Sequence, residues 1–280
     1  MILVTGATGT VGREVVRRIP ADLRFRAMCR NPERIVGLRG SSEAVHGDYR
    51  DGESLVRALR GVSTAFLVTA DVGGDADARF IGAARSAGVR RIVKLSAAAV
   101  ADPGAEDLIT RWQRGNEELL RGSGMEWTLL RPRSFMSNTL SWAPAVRAER
   151  VVRALCGASG NACVDPRDVA DVVVRALTES GHAGRSYTLT GPEAITAAEQ
   201  TAQLGQVLGR PLRFEELGPE QARTALRGRY PYELVEALLE SAQRQRAGAK
   251  ARVDAAVPVL LGRPAGSFRA WARDHLDAFV

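Results

Sequence analysis

Ile2-Leu3-Val4-Thr5-Gly6-Ala7-Thr8-Gly9-Thr10-Val11-Gly12 opens the chain, and Arg13-Glu14-Val15-Val16-Arg17-Arg18-Ile19 follows it. The first three residues are an apolar run of strand length, and the second stretch has the periodicity of an amphipathic helix. Between them three glycines recur every third position, as GxxGxxG rather than the commoner GxGxxG. A strand that turns through glycines into a helix aims unpaired backbone N–H groups and the positive end of the helix dipole at one point. That point suits a phosphate. Gly6 permits the tight turn, Gly9 lets a pyrophosphate approach the backbone, and Gly12 lets helix and strand pack closely.

Outward from this stretch the strand–helix alternation continues. Residues 23–29 read as a second strand, 43–48 as a short third, 64–68 as a fourth and 91–95 as a fifth, with helices over about 51–60 and 75–87. This is the pattern of an α/β fold with a doubly wound parallel Rossmann sheet, in which ligands bind beyond the carboxyl ends of the strands. The glycine loop, Arg30, Asp48, Thr69 and Ser96 all fall on that edge. Where an NAD site ends its second strand with an acid, this chain has Arg30, and Arg34 follows one helical turn later. A guanidinium fork suits a 2′-phosphate, which favours NADP(H) over NAD(H). Asp48 is placed to accept from the adenine amine or to cap the next helix, and Asp51 fits the capping role better. The loop over 69–74 is expected to pass across the cofactor.

The later chain is less regular. A helix over about 106–122 leads to a sixth strand at 126–131, and Asp165-Pro166 marks a helix start. A late strand at 186–190, a helix at 196–208 and a short strand at 211–216 follow. Helix then runs over 219–245 with a break at 228–231. The expected division is a nucleotide-binding core over 1–140 and a mixed segment over 141–280. That segment partly completes the core and forms a smaller C-terminal α+β substrate lobe.

Composition narrows the classes. The 280 residues carry a net charge of +7, but only two of the 39 basic residues are lysine, and the arginines are scattered rather than blocked. That argues against a nucleic-acid partner. No apolar run reaches membrane-spanning length, and the sequence enters a strand at once, leaving no room for a signal peptide. Cys29, Cys156 and Cys163 lack metal spacing, so a reduced, cytoplasmic, metal-free protein is expected, as monomer or homodimer.

With GATGTVG at 6–12, CRNPER at 29–34, GDYRD at 47–51, VRRIVKLSA at 89–97, SGMEWTLLRPRSFMSN at 123–138, DPRDVADV at 165–172 and YTLTGPEAIT at 187–196, the chain resembles the NmrA-like family of atypical short-chain dehydrogenases. These segments span about two-thirds of the sequence. The resemblance implies an NADP site lined by Gly6, Ala7, Thr8, Gly9, Thr10, Val11, Arg30, Val68, Thr69 and Ala70, with Pro132 and Phe135 from the 131–136 segment. Members of the family include quinone reductases, triphenylmethane-dye reductases and a dinucleotide-binding transcriptional co-regulator.

The Tyr-x-x-x-Lys pair of classical short-chain dehydrogenases is missing, because no tyrosine precedes a lysine by four. On the 106–122 helix, Trp112 and Asn116 hold that spacing, with Gln113 where relatives often carry histidine. Two readings follow. One is a reductase acting on a quinone or other conjugated small molecule, for which solvent supplies the proton. Ser96 and Asn138 would then hydrogen-bond the developing oxyanion, while Trp112, Phe135, Met136 and Trp142 wall a flat, aromatic substrate. Lys94, in mid-strand, is expected to point away from the cofactor. The other reading is a non-catalytic NADP(H) sensor that passes occupancy to a partner protein.

Overall fold

The computed structural model describes residues 1–280. By its internal packing the chain divides into two compact units. The first comprises Met1–Val100, Arg111–Arg131 and Pro166–Thr188; the second comprises Ala101–Thr110, Pro132–Asp165 and Leu189–Val280.

In chain order the first half holds β1 (Ile2–Val4), α1 (Gly12–Arg18), β2 (Phe25–Cys29), β3 (Glu43–His46), α2 (Gly52–Leu59), β4 (Thr64–Leu67), α3 (Ala76–Ser86), β5 (Arg91–Leu95), α4 (Leu108–Arg121) and β6 (Glu126–Pro132). The remainder holds α5 (Ala143–Glu149), β7 (Val151–Ala154), α6 (Pro166–Thr178), β8 (Arg185–Leu189), α7 (Ala197–Val207), β9 (Arg213–Glu216), α8 (Pro219–Arg227), α9 (Tyr232–Arg246), α10 (Ala256–Leu261) and α11 (Phe268–Asp274).

Seven strands form the main sheet in the order β3-β2-β1-β4-β5-β6-β8. β1 pairs in parallel with both β2 and β4, setting Val4 beside Ala27 and Phe66, while Cys29 of β2 faces His46 of β3. This register brings the loops after β1, β2, β3 and β4 out on one edge. The central strands β1, β2 and β4 are buried on both faces, which is why β1 and β4 read as apolar runs rather than as alternation. Leu3, Phe66 and Ile92 are fully buried, each contributing roughly 1.5–3 kcal/mol. α1 turns Val15 and Val16 inward, packs against α6 and is tied to it by Arg18–Asp171 at 3.0 Å. Asp51 caps α2 by accepting from the Ser54 N–H at 3.1 Å, as its position promised.

The second unit has its own core of Met136, Val146, Val152, Leu204, Phe268, Trp271 and Phe279. A two-stranded parallel sheet, β7 with β9, pairs Val151 with Arg213. Thr196 and Glu199 close a reciprocal cap at the start of α7, with bonds of 3.1 and 2.8 Å. The expected helix break falls between Arg227 of α8 and Tyr232 of α9. β7, α5, α10 and α11 are the elements the sequence pattern did not announce.

Candidate functional site

The loop after β1 carries the geometry that the glycine spacing implied. Gly6 has φ +59, and a Cβ there would also press on the Val68 side chain at 3.3 Å. A Cβ on Gly12 would lie 2.0 Å from the Gly6 carbonyl oxygen, so only glycine lets α1 start that close to the turn. Within the loop the Ala7 N–H donates to Met28 at 3.3 Å and the Gly9 N–H to Gly6 at 2.8 Å. The N–H groups of Thr8, Thr10 and Val11 have no protein acceptor.

A cavity of about 530 Å³ opens at this edge, lined by Gly6, Thr8 and Gly9 after β1, Cys29 and Arg30 at the end of β2, and Gly47 to Arg50 after β3. Met28 of β2 and Val68 to Asp71 after β4, with Asp75 and Ala76, complete it. Of the residues singled out from sequence, Gly6, Thr8, Gly9, Arg30, Asp48, Val68, Thr69 and Ala70 thus share one cavity. Ala7, Thr10, Val11, Gly12, Arg34, Ser96, Pro132 and Phe135 do not line it. Arg34 lies in a 3-10 turn over Pro32–Arg34 rather than a helical turn beyond Arg30. Tyr49 and Arg50 are lining residues that sequence reasoning passed over.

Each wall is held from behind. The Asp48 carboxylate accepts from the Arg50 N–H at 2.9 Å, and the Tyr49 hydroxyl donates to the Val68 carbonyl at 2.6 Å. Burial pushes the Tyr49 phenol up from its ordinary range, so it stays a proton-bearing strut. The Thr69 hydroxyl donates to Asp77 at 2.5 Å, and the other oxygen of Asp77 takes the Lys94 ammonium. Lys94 and Asp77 are both wholly buried. Lys94 is therefore a buttress for the β4 loop, and the expectation that it points away from a cofactor acquires a physical cause.

The glycine cradle, the unused loop N–H groups and the arginine at the end of β2 fit a dinucleotide. Thr8 would hold its pyrophosphate, and Arg30 its ribose end.

A second group of polar residues lies deeper in the first unit. The Ser96 hydroxyl donates to Glu117 at 2.6 Å, and Arg131 grips the same carboxylate with contacts of 2.9 and 2.5 Å. Arg121 adds a third contact at 2.9 Å. Burial works to raise the Glu117 carboxyl, but the hydrogen bonds from Arg131 and Ser96 and the two guanidinium charges outweigh it and hold it below the usual carboxylate range. The single O–H of Ser96 is thereby committed to Glu117. On α4, Gln113, one turn before Glu117, and Asn116, immediately before it, are buried, and Gln113 Oε1 and Asn116 Nδ2 have no partner. Leaving such groups unpaired costs about 1–3 kcal/mol each.

The residues of the expected substrate wall fall in both units. Trp112 is half-buried in the first unit, with its indole N–H on the Gly74 carbonyl at 3.1 Å. In the second unit Met136 is buried in the apolar core and Trp142 packs against it, while Asn138 is exposed. Phe135 is half-buried and bridges Val164 through its backbone. No group of His, Cys, Asp and Glu is arranged to hold a metal, and no helix is long and apolar enough to cross a membrane.

With this geometry in hand, similarity to known proteins is informative. Residues 6–180 match a family described as NAD(P)H-binding. The chain is 59% identical to a (4-alkanoyl-5-oxo-2,5-dihydrofuran-3-yl)methyl phosphate reductase of Streptomyces griseus, across 100% of this chain and 99% of that protein. It is 38% identical to an NAD(P)H azoreductase of Xenophilus azovorans, across 100% of this chain and 99% of that one. Among solved structures, the Escherichia coli NADPH-dependent quinone oxidoreductase QOR2 complexed with NADPH superposes with TM-score 0.84 at 28% identity, over 99% of this chain and 100% of that one.

Proposed function

The chain belongs to the NAD(P)H-binding family and is an oxidoreductase of the NmrA-like kind, and we propose that it is a cytoplasmic, NADPH-preferring reductase of a conjugated carbonyl compound. The observation that carries the cofactor preference is Arg30, which stands at the end of β2 on the cavity where an NAD site has a carboxylate. Arg50, on the next loop of the same cavity, is a second cation for a 2′-phosphate. The three cysteines are free and buried, which agrees with a reducing compartment.

The relatives support the acceptor class. The Streptomyces griseus protein is named for a dihydrofuran bearing an oxo and an alkanoyl group, in which a ring double bond is conjugated with carbonyls. When bound, NADPH would supply a hydride, and the charge arriving on such an acceptor would spread to a carbonyl oxygen. Asn116 is the residue we assign to that oxygen, since its amide nitrogen is buried and has no partner. Ser96 is assigned instead to holding Glu117 and Arg131, because its one O–H is already given to the carboxylate. Gln113 orients the acceptor through its free carbonyl oxygen, and Trp112 holds α4 to the β4 loop through Gly74. The proton comes from solvent.

Wild-type protein supplied with NADPH and a panel of quinones and acyl butenolides is expected to consume NADPH, followed by nicotinamide absorbance. Arg30→Ala is expected to weaken NADPH by about tenfold or more while leaving NADH nearly unchanged. Equal losses for the two nucleotides would remove the 2′-phosphate assignment. Tight NADPH binding with no turnover on any acceptor would favour the sensor reading, whose specific support is the missing Tyr-x-x-x-Lys pair.

A further inference from the structure

The second unit contains a basic cluster whose charges are not balanced by protein. Arg133, immediately after β6, is fixed by its backbone N–H on the Leu189 carbonyl at 2.8 Å. Its side chain is half-buried, and its Nε is fully buried with no partner. Lys250 follows α9 and is fixed by its own carbonyl, which accepts from the Ala162 N–H at 3.0 Å. It too is half-buried, and no carboxylate lies within ion-pair distance of it. The third cation, Arg244, takes both nearby acids. It contacts Asp107 directly and Asp102 at 3.5 Å. Asp107 is further occupied by the Thr110 N–H and hydroxyl at 3.0 and 2.7 Å. Neither Arg133 nor Lys250 has an ion pair with a carboxylate, and Lys250 feels the charges of Arg133 and Arg244.

Burial lowers Lys250 first, and among its charged neighbours Arg244 and Arg133 push it the same way while Cys156 and Asp107 oppose them; it is pushed down to about 8. Burial and the charge of Arg244 lower Arg133 as well, with Asp102 opposing. Two half-buried cations without an ion-pair partner leave positive charge that the protein does not neutralise. Such an arrangement suits a ligand that supplies the missing charge. A planar guanidinium fork beside an ammonium matches the oxygens of a doubly charged phosphate better than a single carboxylate.

We infer that Arg133 and Lys250 form a binding site for a phosphate monoester. The site is tested without turnover. In it Arg133 supplies the paired donors, including the buried Nε, and Lys250 supplies the point charge. Arg244 stays on its two aspartates and fixes the local field.

The test uses protein saturated with NADPH, so that the glycine loop and Arg30 are filled. Calorimetric titration follows with inorganic phosphate, phenyl phosphate, benzoate and phenol. Phenyl phosphate is expected to bind, phenol not at all, and benzoate much more weakly. Arg133→Met and Lys250→Met should each weaken phenyl phosphate by about tenfold or more, while Arg85→Ala, on the exposed end of α3, leaves it unchanged. Arg133→Lys keeps the charge without the fork, and is expected to weaken binding as well. It serves as the reading should Arg133→Met fail to fold.

Absence of phenyl phosphate binding, or binding indifferent to both substitutions, overturns the proposal. Benzoate binding as tightly makes the site a carboxylate site and overturns it too. Inorganic phosphate binding with phenyl phosphate excluded assigns the site to the free ion, against the ester. NADPH turnover of menadione, which carries no phosphate, is measured beside these titrations. Its loss with phosphate binding intact would remove the reductase reading alone, and the converse would remove the phosphate site alone.

Discussion

The two lysines of this chain occupy opposite situations. Lys94, in the first unit, is wholly buried on β5 and meets Asp77, whose second oxygen holds the Thr69 hydroxyl on the cofactor cavity. Lys250, in the second unit, is half-buried after α9 among two arginines, with no carboxylate of its own. Burial alone therefore does not tell a structural cation from a functional one. Here the protein counter-charge separates them, because Lys94 is spent on holding the fold while Lys250 is the cation that the proposed phosphate site uses.

The contrast is broken most severely at Lys94. Lys94→Met leaves the Asp77 carboxylate buried and unpaired, and is expected to cost about 3–5 kcal/mol in urea unfolding. The double replacement Lys94→Met with Asp77→Leu removes both charges and is expected to recover most of that loss. If the single substitution costs nothing, the pair is not the buttress described above.

Glu117 supplies the next largest effect. Its carboxyl lies below the usual range in the fold, so the unfolded chain takes up the proton first as pH falls. The stabilisation is present in full above about 4.5, the ordinary glutamate value, and is lost as pH drops through the lower folded value. Glu117→Gln should cost about 1–3 kcal/mol near neutrality and flatten the acid limb of stability against pH. An unchanged acid limb would mean that Ser96 and Arg131 do not hold the carboxylate.

Lys250 predicts the opposite sign. Its folded value is about 8, against 10.5 for a free lysine, so between these limits the unfolded chain holds the extra proton. Without added phosphate, stability should therefore rise as pH climbs through that window, and Lys250→Met should abolish the rise without lowering stability at neutral pH. A marked loss of stability in Lys250→Met would show that the side chain serves the fold, as Lys94 does. Phosphate is expected to shrink the same rise in the wild type by supplying the counter-charge.

The two units also differ in how far they could be read from sequence. In the first, the informative signals are local. The glycine spacing specifies the β1 turn, Asp51 caps α2 within three residues, and β1 and β4 are short apolar runs. Even Arg30 is placed by its position after β2 alone.

Signals that join distant residues were not legible. Ser96, Glu117 and Arg131 come from three separate elements, so the buried triad that commits Ser96 has no sequence pattern. Strand β7 pairs with β9 across some 60 residues of chain, and only that pairing distinguishes Val151-Val152-Arg153-Ala154 from a loop. Arg133 and Lys250 likewise meet only in the fold. Among 37 other basic residues their lack of partners is invisible until each carboxylate is seen to be taken. Met136 and Trp142 had the composition of a substrate wall, and packing shows them serving the core of the second unit.

Hydride transfer itself is tested most directly by its isotope. NADPH deuterated at the transferable nicotinamide C4 position would be incubated with the protein and an acyl butenolide phosphate, and the product examined by NMR. The account predicts reduction of the ring double bond with one deuterium at the carbon β to the carbonyls, and a slower reaction in Asn116→Ala than in the wild type. NADPH bound tightly at the Gly6 loop, with no deuterium delivered to this or any quinone acceptor, would contradict it.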